Sequence, residues 1–181
     1  MATMTKYIVV LVSLLVALCS CNQGPSLQTY FVDNEQRPNF LSMDVPVKML
    51  NIDKATLTDD QKAAYESVNK LNMLAYKIDS TNQNEYRTEL SKIKAILDGN
   101  QYQELMRGNY EDNGKFVVKY LGDDDDIDEF ILFGNSNDMG FAVVRILGKD
   151  MDPGKLMKLS SLVDMNNIDQ AKMGQFVDFF K

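Results

Sequence analysis

An α+β domain built on an antiparallel sheet is what this chain of 181 residues predicts. Three observations carry that expectation. Four segments of alternating polarity follow one another from Leu105 to Leu147, joined by short links, as in an antiparallel meander. Apolar residues at helical spacing lie before and after them. The length suits one domain and is too short for two, and the apolar content is ordinary for a globular core. The expected sheet has about five strands, with helices packed mainly on one face.

Along the chain, the first element is an address. Lys6 precedes an apolar run from Ile8 to Leu18, broken only by Ser13. That run falls short of the ~20 residues a bilayer span needs and has the length and flanks of a secretory signal. Its end, Leu18-Cys19-Ser20-Cys21, resembles a bacterial lipobox, in which Leu stands three places before the modified Cys and a small residue stands just before it. The resemblance implies that Cys21 takes a diacylglyceryl thioether and that residues 1–20 are removed, Cys19 with them. Cys19 departs from the usual small or β-branched residue at that place. Taking Cys19 as the lipidated residue instead would put bulky Leu18 before the cut, so Cys21 is the candidate. Residues 21–26, with Gly24 and Pro25, read as a lipidated tether, and residues 27–181 as a single domain.

Within the domain, Leu27 to Asp53 shows scattered apolar residues without a clean period, and Phe40 to Pro46 reads as extended because Pro46 disfavours helix at Val45. Thr58-Asp59-Asp60-Gln61 is a capping box, so a helix is expected near 59–71. Leu74 to Ile78 is a short strand candidate. Tyr86, Leu90, Ile93 and Leu97 form one stripe of a second helix, with Gly99 placed for a left-handed cap. Strands are expected at 105–110, 115–121, 127–133 and 141–147, the first pair closed by Asn113-Gly114. Asp152-Pro153 opens another helix, and Met173, Phe176, Val177 and Phe180 mark a last amphipathic helix weakened by Gly174. Its phenylalanines suit docking onto the sheet, with partner binding as the alternative.

With these elements placed, the chain resembles a family of small lipoproteins of Bacteroides-type bacteria, domain-of-unknown-function family 4252. The likeness rests on the lipobox, on Leu27-Gln28-Thr29-Tyr30 through Phe40-Leu41-Ser42-Met43-Asp44-Val45-Pro46, on the strand near Leu74–Ile78, and on Gly140-Phe141 through Gly148-Lys149-Asp150-Met151-Asp152. It implies an envelope lipoprotein and brings no catalytic residues. In such bacteria an acidic run after the lipidated Cys marks surface export. The first acid here is Asp33, which favours the periplasmic face of the outer membrane over surface display.

Composition narrows the chemistry. The net charge is −7, with no basic cluster, so nucleic acid is not an expected partner; the membrane, through Cys21, and an envelope protein or ligand are. No His occurs anywhere and no Cys after Cys21, which removes the usual general base, the imidazole-assisted nucleophiles and thiolate metal sites. No cofactor is implied. The densest charge run, Asp123 to Asp126 with Asp128 and Glu129, offers Asp124, Asp126 and Asp128 as ligands for a hard cation such as Ca²⁺. Read as an EF-hand loop from Asp124 it places Glu129 where Gly is required, and a solvated acidic turn is the favoured reading. The Met residues are scattered and read as core filler rather than copper ligands. Among 26 acidic residues no catalytic pair is singled out. Arg145, alone inside Phe141–Leu147, alternates with apolar neighbours; it is expected to form a structural ion pair, or else to meet a ligand. A non-enzymatic envelope binding module is therefore the expected function, with a carboxylate-based or Ca²⁺/Mg²⁺-dependent enzyme as the alternative.

Overall fold

The computed structural model describes residues 25–50, 52–110, 114–123 and 126–160, with Gly174 and residues 178–180. Helix α1 (Leu27–Asn34) starts on Ser26, whose hydroxyl accepts from the Thr29 amide. Strand β1 (Phe40–Pro46) follows, then two short 3-10 turns, then α2 (Asp59–Ser67) and β2 (Val68–Lys77). Helix α3 (Gln83–Leu97) leads into β3 (Gln103–Tyr110), β4 (Gly114–Asp123), β5 (Asp126–Ser136) and β6 (Gly140–Met151), and α4 (Pro153–Ser160) follows.

The sheet has six strands in the order β1-β2-β6-β5-β4-β3, every pair antiparallel. That is one more than the sequence predicts. The extra strand is β1, whose extended backbone pairs with β2 from Phe40 opposite Tyr76 to Pro46 opposite Lys70. Pro46, which has no N–H to give, stands at the end of this edge strand, where the sheet tolerates it. The meander β3 to β6 is as expected, and β6 then inserts between β5 and β2 to close one continuous sheet.

Because side chains alternate along each strand, the sheet builds two cores. On one face, Leu74, Tyr76, Ile131, Phe133, Phe141 and Val143 meet α1 and α3. Tyr76 and Phe141 stack at 5.6 Å, and Phe40 meets Tyr76 edge-on at 4.9 Å. On the other face, Val68, Tyr120, Phe130 and Ile146 meet Ala64 and Tyr65 of α2 and Leu156 of α4. The four described helices are thus shared between the faces, two and two, rather than gathered on one. A helix pair is needed on the second face because β2, β5 and β6 present bulky apolar residues to both sides.

Three local expectations change in detail. Helix α2 has its capping box, but it ends at Ser67, and residues 68–71 belong to β2. Val68 and Leu71 fit a helical stripe, yet pairing with β6 on one side and β1 on the other wins. Gly99 follows α3 without a left-handed backbone; the described glycines with positive φ are Gly122 and Gly140. Gly114 lies inside β4, not at a turn centre. Its role is room: a Cβ there would sit 2.4 Å from the Tyr110 ring across the hairpin. The α4 cap is as expected, with the Lys155 amide donating to Asp152 Oδ1 at 2.9 Å. Most of the last predicted helix lies outside the described residues.

Candidate functional site

Arg145 is 5 % exposed and is held on the α1 side of the sheet. Its Nε and Nη2 donate to the two oxygens of Glu129 at 2.6 and 2.9 Å, and Nη1 donates to Gln28 Oε1 at 2.9 Å. The guanidinium lies 5.1 Å from the centroid of Phe31. All three nitrogens of the fork therefore have a partner, and Glu129, equally buried, is neutralised. The expected structural ion pair is what the fold contains.

A second buried carboxylate has no precedent in the sequence reading. Glu89 of α3 is 2 % exposed and accepts from Tyr30 Oη at 3.0 Å, Arg37 Nη1 at 3.0 Å and Lys92 Nζ at 2.9 Å. Burial alone would push its pKa up; the Lys92, Arg37 and Tyr30 donors outweigh that and hold it below the usual carboxylate range. Burial and the Glu89 charge push the Tyr30 phenol strongly up, so it remains a donor. Arg37 also reaches Glu85 at 2.7 Å. A groove of about 420 Å³ opens beside this network between α1 and α3, but its cations Arg37 and Lys92 are already paired with Glu85 and Glu89. The signal was present in the sequence: Glu89 is three residues after Tyr86 and four before Ile93, on the stripe that faces the sheet.

The third feature is a cleft of about 350 Å³ where the sheet runs out from under α3. Strand β4 lays Lys115, Val117 and Lys119 along its base, and Phe133 of β5 and Leu97 of α3 complete the apolar floor. A bulge at Leu105 lets β3 place both Glu104 and Arg107 on this face, opposite Lys119 and Val117, and the two form a bidentate ion pair. Lys119 is buried, with its Nζ donating to the Leu97 carbonyl at 2.5 Å and the Tyr102 carbonyl at 3.4 Å, so it closes the C-terminal end of α3. Lys94 and Lys115, by contrast, form no ion pair with any described residue.

A family model, domain of unknown function DUF4252, matches residues 31–159. The chain belongs to this family. No curated protein and no solved structure matches it.

The DUF4252 span takes in Glu89, Glu129, Arg145 and every residue lining the cleft, whereas Gln28 and Cys21 precede it. Cys21 and Asp124 lie outside the described residues. Asp126 and Asp128 start β5, and Asp126 faces Asp123 across the β4–β5 turn. A side-chain hydrogen bond with Asp150, reinforced by its like charge, raises the Asp126 pKa. Among the described residues no three His, Cys, Asp or Glu side chains converge on one point, and the predicted trio includes Asp124, which lies outside them. No described helix is long and apolar enough to cross a membrane.

Proposed function

We propose that this DUF4252 chain is a non-enzymatic binding domain of the cell envelope, tethered by lipid on Cys21 at the periplasmic face of the outer membrane. The observation that carries the binding reading is the division of labour among its charges. The two buried carboxylates are already engaged by the protein's own cations, Glu89 by Arg37 and Lys92 and Glu129 by Arg145, so both are committed to holding the fold. The cleft beside α3 instead offers apolar surface and two cations, Lys94 and Lys115, without an ionic partner among the described residues, which is what a binding site needs.

The anchor reading rests on Leu18, Ser20 and Cys21. One acyl chain holds a protein only marginally and two or three hold it durably, so lipidation would fix residence at the membrane. Cys21→Ser is expected to abolish incorporation of radiolabelled fatty acid and leave an uncleaved precursor. Continued labelling, or loss of labelling in Cys19→Ser instead, would refute the assignment. The binding reading is tested by photo-crosslinking from the cleft in intact envelopes: a saturable adduct supports it, and a clean absence of adducts removes it. The competing reading, a carboxylate enzyme with Ca²⁺ or Mg²⁺, draws on the Asp126–Asp150 contact. It requires a rise in melting temperature with Ca²⁺ that a chelator reverses and Asp126→Asn abolishes.

A further inference from the structure

We infer that the cleft between α3 and strands β3–β4 binds a small amphiphilic anion, a carboxylate on a short apolar body. The inference rests on the binding-domain reading and names the chemistry of its ligand.

Charge comes first. Among the described residues, Lys94, Arg107, Lys115 and Lys119 line the cleft against Asp98 and Glu104, in a chain whose net charge is −7. This local excess of positive charge runs against the sign of the molecule as a whole, so it concentrates an anion here rather than elsewhere. Two of the four cations are committed: Lys119 to the carbonyls at the end of α3 and Arg107 to Glu104. Lys94, on the helix wall, and Lys115, on the sheet, have no ionic partner among the described residues. They flank the cleft from two different elements and together supply donors for one carboxylate.

The acids narrow the ligand further. Asp98 and Glu104 share the lining, so a multiply charged anion would meet repulsion that a single localised charge avoids. The floor decides the rest. Val117 is half-buried beside Phe133 and Leu97, and such a surface favours an apolar body over a bare inorganic ion. A volume of about 350 Å³ suits a molecule of that class. The Glu89 groove fails the same comparison, because its cations Arg37 and Lys92 are matched by Glu85 and Glu89.

The test uses the purified full chain titrated with sodium octanoate, with octanamide (the chain without the charge) and sodium acetate (the charge without the chain) as probes, followed by NMR. Octanoate is expected to shift the amide signals of Lys94, Lys115 and Val117 saturably, and the other two probes to bind about tenfold or more weakly, as loss of a charged hydrogen bond or of apolar contact requires. Lys94→Gln combined with Lys115→Gln is expected to weaken octanoate about tenfold while the melting temperature holds, and Lys62→Gln on α2 to change nothing. Equal binding of octanamide, undiminished binding to the double variant, or shifts confined to another surface overturns the inference. A photo-crosslinker at Val117 in intact envelopes separates the two levels. An adduct with the mass of a carboxylate amphiphile supports both. A protein adduct overturns the ligand class and leaves the binding-domain reading standing. No adduct together with no octanoate binding overturns both.

Discussion

One face of the sheet contains two regions built from the same strands to opposite ends. Under α1 and α3, Leu74, Tyr76, Ile131, Phe141 and Val143 are sealed, and the ions among them, Glu89, Glu129 and Arg145, are paired. Past the far edge of α3, β4 carries Lys115 into the open and leaves Val117 half-buried, and β3 is exposed along nearly its whole length. The helix makes the difference. Where it covers the strands, an unmatched charge would be intolerable and the sequence supplies partners. Beyond it, water screens the charges and unmatched lysines cost little. The covered region therefore holds the fold, and the uncovered one is free to hold a ligand.

The largest effect that would break this contrast is at Arg145. Arg145→Met leaves Glu129 buried without a counter-ion and should destabilise by about 3–5 kcal/mol in a denaturant melt. Adding Glu129→Met should recover most of that, since an apolar pair of similar volume is often as stable as a buried ion pair. A mild loss in the single variant would mean that water reaches Glu129 beneath the helices.

A smaller effect is expected at Glu89, and it depends on pH. Its folded pKa lies below the unfolded value, so its contribution is complete above the unfolded carboxylate pKa. That contribution disappears as pH falls through the lower folded value. Glu89→Gln should cost about 1–3 kcal/mol near neutral pH by leaving weaker acceptors for three donors, and the gap from wild type should narrow below pH ~4. A gap that stays constant down to pH ~2 would show that Glu89 is not held as an ion.

Tyr76 sharpens the contrast from within. Its ring is fully buried, its hydroxyl makes no hydrogen bond of normal length among the described residues, and burial followed by the nearby Glu85 carboxylate pushes its pKa to about 12. Tyr76→Phe removes a desolvated orphan and should be neutral or stabilising by up to ~1 kcal/mol. A clear destabilisation would reveal a partner for this hydroxyl. The smallest effect belongs to the open region: Lys94→Gln with Lys115→Gln should change stability by no more than ~0.5 kcal/mol, measured by thermal melt.

Much of this was legible in the chain. The capping box at Thr58, the Asp152-Pro153 helix start, the meander and the buried Arg145 each depend on neighbours within a few residues or on strict alternation. Helix α1 was not legible. Its buried positions Leu27, Tyr30, Phe31 and Asn34 keep helical spacing, but the last is an amide, which turns inward because its Nδ2 donates to the Tyr30 carbonyl at 2.6 Å and its Oδ1 accepts from Arg37. Glu89 hid for the same reason. A polar residue on an apolar stripe looks like a break in the stripe until its partners, brought from as far as Tyr30, are known.

By itself, the sequence determined the class of the fold, the order of its antiparallel strands from β3 to β6, the membership of Arg145 in a covered face, and the absence of imidazole and of any thiol after Cys21 from the domain's chemistry. Those follow from composition and from periods of two and 3.6 residues, which are local. Tertiary structure alone decided that β1 joins the sheet, that β2 begins at Val68, that the helices divide between two faces, and that the cover stops short of Lys115 and Val117. Each of these depends on which surfaces meet across long stretches of chain, and burial there reverses the preferences that neighbouring residues express.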